Sequence, residues 1–555
     1  MRASAPPSSA PPTGTAPDGA DSPDTGHPRR WIALVAVALS VLVLGFDQTI
    51  LNVALPTMAS ALQATTGQQQ WIVDAYTLAF AALLLPAGLF GDRIGRRRLL
   101  TGGLGLFGLA SLTGMLADSP GTLIAARAAM GLAAALVMPM SMAVIPGLFP
   151  AAERRRAIST VTAATAAGAP LGPLLGGLLL QHYWWGSVFL INLPLVAVGI
   201  VACLVLLPES RNPATPAIDP LAATLAAGGL AALTYGIIEG PERGWSDALV
   251  IGMLAGSVLA LTALVVRSRR QAHPMLDLSL LVDRGYRWAS VAVFLVSLVM
   301  LGAFFVLPLY FQGVQGVDAM GTGLRITPMM AGLVVAAKLS ERLARKLGSR
   351  AVIVTGLLVL GAASLAGSRT GLADGYGWAA CWVPFFGFGL GMALIPASAA
   401  AMAHLPRERA GVGSGLLQTL RQVGGAIGVA AFGSLLAGAY RGALHTGALG
   451  GGGLSGGLAH QAGQSVLAAD AIARQLARPD LAAAAHGAYV HGMDVVLVLS
   501  AVVAALSALL IALRMPRHDT DAGAAGGGAA GGSAADVVGG GAAGGSGVGS
   551  ARRAG

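Results

Sequence analysis

Four charged side chains, Asp47, Asp74, Arg127 and Arg421, stand inside long apolar runs of this chain, and their surroundings make each a candidate for chemistry. A charge at the centre of a bilayer costs at least about 2.5 to 3.5 kcal/mol on insertion scales, so it is seldom retained without a role. A carboxylate in such a place can exchange a proton or hold a cation, and an arginine beside it favours its charged form. Arg325 and Lys338 also fall within apolar runs, but Lys338 lies close to a basic end and reads as a snorkelling side chain.

These depths depend on the elements that carry the charges. About fourteen apolar runs follow one another, beginning at Trp31 and then near Gln69, Leu99, Gly121, Ala157, Trp185, Pro220, Asp247, Arg287, Thr322, Arg350, Tyr376, Gly411 and Met493. Each is long enough to cross roughly 30 Å of hydrocarbon as a helix rising about 1.5 Å per residue. Of the 35 Lys and Arg residues, 19 fall in every second loop, in clusters such as Arg93, Arg96, Arg97, Arg98 and Arg154, Arg155, Arg156. The alternate loops hold only Arg243, Arg369, Arg441, Arg474 and Arg478. That asymmetry places the basic loops in the cytoplasm, and with an even helix count both termini lie there too. On this topology Asp47 sits in the outer half of the first helix, Asp74 a turn or two below the outer end of the second, and Arg127 equally shallow in the fourth. The three therefore share a depth on neighbouring helices. A structural reading stands beside the functional one: Asp74 and Arg127 as interfacial side chains or as an ion pair. Arg421, about ten residues into the thirteenth helix, is near mid-membrane at 1.5 Å per residue, where it can contact solute or bond backbone carbonyls.

Composition narrows the function classes. The chain is 55% hydrophobic and 11% charged, well below the quarter charged of a soluble domain. Its net charge of +10 belongs beside the anionic lipids of the inner leaflet rather than on nucleic acid. Cys203 and Cys381 fall within apolar helices and are expected as reduced packing residues. Lys338 and Lys346 are the only lysines and neither follows a glycine, so no Gly-Lys-Ser/Thr phosphate loop exists. Uphill transport would then draw on an ion gradient or a separate subunit. Gly103, Gly105 and Gly108 fit a dinucleotide fingerprint, but inside an apolar helix with no preceding strand they read as close-packing residues. Gly453-Leu-Ser455-Gly-Gly457 matches a nucleophile elbow in a Gly-rich loop without the strand-turn-helix setting. No catalytic or metal-ligand cluster occurs in the helices, so an enzyme is not expected.

The expected organisation is all-α and polytopic. Residues 1–30 form a disordered cytoplasmic tail, 31–208 a six-helix half, 209–286 two inserted helices with a linker, and 287–515 a second six-helix half. That half carries a long external loop over 441–492, with a surface helix expected from Ser465 to Arg478, and 516–555 is a Gly/Ala-rich cytoplasmic tail.

Asp47-Gln-Thr49-Ile-Leu-Asn52-Val-Ala-Leu-Pro56 resembles the first-helix signature of the fourteen-helix drug:proton antiporters of the major facilitator superfamily, the EmrB/QacA type. Gly88-Leu-Phe-Gly-Asp92-Arg93-Ile-Gly95-Arg96-Arg97-Arg98 resembles the superfamily's loop between helices two and three, and Arg127-Ala-Ala-Met-Gly131 its fourth-helix motif. Gly168-Ala-Pro170-Leu-Gly172-Pro173-Leu-Leu-Gly176-Gly177 is similar to the antiporter motif of helix five. Phe189 to Pro194 and Arg421 to Gly425 are also family-like. The resemblance implies a major facilitator fold with two inserted helices, a gating role for Gly88 to Arg97, and proton or solute coupling through Asp47, Thr49, Asn52, Asp74, Arg127 and Arg421.

Physical readings accompany these motifs. Gly168, Gly172 and Gly176 repeat every fourth residue and present one smooth helix face, and Pro170 and Pro173 loosen the same turns. Arg345 stands where a second copy of the loop would carry its acid, so the second half is a diverged copy. The expected function is proton-driven export of a small hydrophobic or amphiphilic organic solute by alternating access. The partners would be protons and membrane lipids, with no cofactor and no nucleic acid, in a monomer of the bacterial plasma membrane. An uptake symporter and a non-transporting sensor are the alternatives.

Overall fold

The computed structural model describes residues 28–209, 219–271, 278–405, 410–445 and 456–516. Among them fourteen long helices and no strand occur. The helices are α1 (Arg30–Leu62), α2 (Thr66–Ile94), α3 (Arg96–Met115), α4 (Pro120–Ala143), α5 (Ala151–His182), α6 (Asn192–Leu206) and α7 (Pro220–Arg243). They continue as α8 (Ala248–Arg270), α9 (Arg284–Leu309), α10 (Ala319–Leu347), α11 (Ser349–Gly367), α12 (Tyr376–Ala403), α13 (Ala410–Leu444) and α14 (Pro479–Arg514). Eleven membrane-crossing segments are recognisable by length and hydropathy alone. The other three helices, α2, α3 and α5, are richer in Gly, Gln, Thr or Arg, and other helices cover their sides: α2 lies on α4 and α13, α3 on α4 and α6, α5 on α1 and α10. Even the shortest of them, α3, is about 30 Å long at 1.5 Å per residue, the thickness of the hydrocarbon.

Local chemistry sets several boundaries. Thr65 and Gln68 form a reciprocal capping box at the start of α2, and Ser119 caps α4 with Pro120 in its first turn. Gly95 (φ +119°) separates α2 from α3 and Gly348 (φ +81°) separates α10 from α11. Both hairpins turn on a glycine in a region that side chains avoid, so the two halves repeat each other in backbone even where the charges differ.

Two bundles result, α1–α6 and α9–α14, and the hairpin α7–α8 lies beside them with α7 against both α2 and α13. They touch near the Arg-poor end. There Gln312 Nε2 donates to the Val53 carbonyl (2.8 Å), Gln70 Nε2 to the Ala430 carbonyl (3.5 Å), and the Thr66 hydroxyl to the Gln464 carbonyl. Between α5 and α10 a Cβ on Gly177 would stand 2.7 Å from Met320 Cα, and one on Gly323 would strike the Pro173 carbonyl. In lipid no hydrophobic effect drives helices together, so such close backbone approach supplies much of the association.

Several expectations need correction. The last helix begins at Pro479, not near Met493, because the Ala-rich stretch that hydropathy reads as loop is strongly helix-forming. The 441–492 connection is therefore helical at both ends, and its surface helix runs over Val466–Gln475, capped by Ser465. The sixth run is broken: Ser187–Leu190 is one short turn and α6 restarts at Asn192, with Pro194 lacking the N–H that would bond the preceding turn. Cys203 is buried, whereas Cys381 is exposed on α12, so only the first is a packing residue; both are free thiols. The tails over 1–27 and 517–555 and the Gly-rich stretch 446–455 lie outside the described residues.

Candidate functional site

Asp47 and Arg127 meet. Arg127 Nη1 donates to Asp47 Oδ2 at 2.7 Å, with the side chains 1% and 2% exposed. α1 supplies the carboxylate and α4 the guanidinium. α4 can lie close to α2 because Gly131 places its Cα against the Tyr76 carbonyl, where any Cβ would collide. The guanidinium is held on other sides as well: Nε donates to the Ile72 carbonyl (3.3 Å) and the Tyr76 ring lies 4.4 Å from its central carbon. Asp47 Oδ1 accepts from Asn192 Nδ2 at 3.1 Å, and the same amide donates to Ser111 Oγ at 3.2 Å. Three helices, α1, α4 and α6, thus meet at one carboxylate, and α3 supports it through Asn192.

Such a pair is poised to change partners. Removing one member of a buried ion pair costs about 3–5 kcal/mol because it strands the other charge. Arg127 is less stranded than most, since the Ile72 carbonyl and the Tyr76 face remain when Asp47 is neutral, and a desolvated cation–π contact is worth up to about 2 kcal/mol. Protonation of Asp47 would release the salt bridge without leaving the guanidinium bare.

The other expected residues fall into three groups. Thr49 and Asn52 do not join the pair: the Thr49 hydroxyl donates to the Phe46 carbonyl (3.1 Å) and the Asn52 amide to the Gln48 carbonyl (3.1 Å), both within α1. Asp74 is fully buried on α2 with neither carboxylate oxygen hydrogen-bonded. It is therefore neither an interfacial side chain nor half of an ion pair. Arg421 is half-buried on α13 and makes no hydrogen bond or ion pair among the described residues, while Gly424 and Gly428 press that helix onto the Phe294 and Leu298 carbonyls of α9.

The glycine face of α5 lies directly on α1. A Cβ on Gly168 would meet the backbone of Gly45 and Phe46, one on Gly172 the Thr49 hydroxyl and Ile50 nitrogen, and one on Gly176 the Ile50 side chain. Gly177 turns to the other half, against α10, as does the carbonyl of Pro173. The side chain of Pro170 lies outside the described residues. One helix thus touches the helix of Asp47 along one face and the opposite bundle along another.

At the Arg-rich end, Arg96 Nη1 donates to the Ala143 carbonyl (2.8 Å) in the last turn of α4, where the helix dipole is negative. Arg97 Nη1 reaches the Leu207 carbonyl (3.2 Å) and its backbone N–H donates to Glu209 (3.2 Å). Glu209 also lies 3.6 Å from Arg98. These contacts tie the ends of α3, α4 and α6 together within one half. Arg93 is exposed; Gly88 stands within α2, and the side chain of Asp92 lies outside the described residues. Of the three fingerprint glycines of α3, Gly103 packs on α4 and Gly108 on Val196, while Gly105 faces open space.

Ser111, Tyr76, Gln312 and Glu209 are not among the candidate residues of the sequence, and Asn192 enters there only within the family-like stretch Phe189 to Pro194. Asn192 carried a signal, an amide in an otherwise apolar run. The others become visible only through their partners.

A helical, duplicated bundle with a buried Asp–Arg ion pair in one half is the architecture of an integral membrane protein of the secondary-transporter kind. The chain belongs to the Major Facilitator Superfamily, whose sequence profile matches residues 37–429. It is 33% identical over 411 residues to the tetracenomycin C resistance and export protein of Streptomyces glaucescens, covering 74% of this chain and 76% of that one. It is 34% identical to the puromycin resistance protein of Streptomyces alboniger, covering 74% and 83%, and 34% identical to the multidrug resistance protein Stp of Mycobacterium tuberculosis, covering 73% and 76%. Among solved structures, a bacterial homologue of the human lysosomal transporter Spinster superposes with a TM-score of 0.63 at 18% identity, over 88% of this chain and 99% of that one, a likeness of fold.

Proposed function

We propose that this protein exports a small hydrophobic or amphiphilic organic solute, a drug or secondary metabolite, in exchange for protons. It would work by alternating access through fourteen membrane crossings. The observation that carries the reading is the Asp47–Arg127 pair, a titratable carboxylate held by exchangeable partners in the centre of one half. The printed functions of the relatives, resistance and export, support the direction of transport. The positive-inside rule puts the Arg-rich end and both termini in the cytoplasm of a bacterial plasma membrane. The closed Arg-poor end is then the external one, and an ionised, paired Asp47 belongs to the state that has released its proton inward.

In the cycle, opening outward brings water to Asp47, which takes a proton, and Arg127 falls back on the Ile72 carbonyl and Tyr76. One proton crossing 100 mV supplies about 2.3 kcal/mol, enough for a roughly fiftyfold solute gradient without ATP. α5 would transmit the change, since it touches both α1 and α10.

Everted vesicles with an acidified lumen and an internal pH dye test this. Adding lipophilic drugs should alkalinise the lumen in the wild type and leave it unchanged in Asp47→Asn, with equal amounts of protein in the membrane. Equal alkalinisation in the mutant sinks the coupling role of Asp47, and drug-dependent acidification would indicate a symporter.

A further inference from the structure

We propose that Asp74 is a second proton-binding carboxyl, which takes up a proton when the seam between α2 and α13 opens at the outer end and must hold it for that seam to close. The inference rests on the alternating-access reading of the two halves.

Asp74 lies one turn from Gln70 and one turn from Leu78, so the three share a stripe of α2. Gln70 donates to the Ala430 carbonyl of α13, and a Cβ on Gly433 would run into its amide. Leu78 packs with Ala426 of α13 and Leu230 of α7, flanked by Val423 and Trp71. Asp74 is thus bracketed by the contacts that join the two halves. It is fully exposed to neither water nor lipid, and neither oxygen has a donor.

The groups around it supply no compensation. The α13 residues of this stripe, Val423, Ala426, Ala430 and Gly433, carry no charge. Arg421 of the same helix forms no ion pair among the described residues. α7 contributes Tyr235, whose ring lies 6.4 Å from Trp71. Arg127 of α4 and Asp47 of α1 engage each other on the flank of Tyr76, about 200° around α2 from Asp74. An ionised carboxylate sealed here would have neither cation nor donor, a desolvation cost that the neutral acid largely escapes.

α7 decides where the proton comes from. It spans the lipid side of the seam: Ser434 Oγ of α13 donates to the Ile237 carbonyl (2.6 Å), and Trp71 of α2 meets Tyr235. With lipid excluded, water reaches Asp74 when α2 and α13 part. An ionised Asp74 then props the seam open, and a proton from outside permits closure. This makes the inserted hairpin a cover for a proton site, and it separates closure from the solute-linked exchange at Asp47.

Spin labels at Ala61 of α1 and Gly438 of α13, both exposed, report the seam width in proteoliposomes without solute, on a chain with Cys203 and Cys381 changed to Ser. The wide fraction should rise at least about threefold as pH is raised from about 5 to about 9 in the otherwise unaltered chain and in Asp47→Asn. In Asp74→Asn it should stay at its acid level throughout. A response that survives in Asp74→Asn, or that vanishes in Asp47→Asn, overturns the assignment. Because a misfolded Asp74→Asn would also be silent, Asp74→Glu provides the control: restored pH dependence supports the site, and a Glu chain equally silent overturns it. No solute flux is read, so failure of the export reading leaves this outcome distinguishable.

Discussion

Arg127 is bound through chemically different atoms, Nη1 to a carboxylate and Nε to a backbone carbonyl, with its plane against an aromatic face. A lysine is a point charge without a planar face or a forked set of donors. Arg127→Lys should keep the protein in the membrane and the charge in place, yet reduce solute-dependent proton flux by at least about tenfold, since one charge-assisted hydrogen bond is worth about 1.5–3 kcal/mol. The vesicle assay checks it, and near-normal flux would mean that charge alone matters. Asp47 and Arg127 were both legible in the sequence, because a charge in an apolar run is conspicuous by its cost. Their union was inferred only as a shared depth; the 2.7 Å contact needs the particular rotation of α1 and α4, which no periodicity states.

At the scale of the element, α5 and the inserted hairpin make separate predictions. Gly172→Leu would drive a side chain into the Thr49 hydroxyl and the Ile50 nitrogen, separating α5 from the helix of Asp47. Overpacking of this kind costs about 1–3 kcal/mol, often more where backbone must move. Transport should fall to background while Gly105→Leu, which faces open space, stays near wild type; comparable loss in both would show a general intolerance of bulk. At the Arg-rich end, Asp219 caps α7 and accepts from Arg267 (2.7 and 3.1 Å) and Gln271 (2.7 Å). The hydrogen-bonded Arg267 guanidinium holds its carboxyl down at about 2. A carboxyl depressed from its unfolded value of about 3.9 contributes stability above that value and loses it as pH falls through about 2. Protection against hydrogen exchange in α7–α8, taken relative to the intrinsic rate at each pH, should therefore be constant from neutrality down to about pH 4 and fall below it. In Asp219→Asn protection should be low at every pH; an acid-dependent loss persisting in that mutant would locate the effect elsewhere. The sequence marked both elements, through the glycine period and the start at Pro220, but not their neighbours.

For the whole molecule, closure at the Arg-poor end is the defining feature. Gly177 and Met320 come together across the halves, with a Cβ on the first 2.7 Å from the Cα of the second. Thr57 and Gln312 also face each other across the halves, with side-chain oxygens 3.4 Å apart; cysteines at these two positions, joined by a short reducible linker with the native thiols removed, should stop transport, and reductant should restore it. A cross-linked protein that still transports would show that these ends need not part. Gln312, on the π-helical turn Tyr310–Val314, holds the Val53 carbonyl of the opposite half. Such turns aim side chains that a regular helix would place elsewhere.

The sequence by itself determined the membrane class, the near-even spacing of helices, the basic side and the family, because each is a one-dimensional signal of hydropathy, charge or motif. It named Gly95 within the loop motif, and the structure shows that Gly95 and Gly348 both turn in a backbone region that only glycine takes without strain. It misplaced the start of α14, where alanine is helical without being strongly hydrophobic. Tertiary structure alone decided that Asn192 serves Asp47, that Glu209 clasps Arg97 and Arg98 in the first turn of α3, and that Asp74 is sealed in the seam beneath α7. Those outcomes depend on how whole helices are rotated and pressed together, and in lipid that is set by small differences in close packing summed over many residues far apart in the chain.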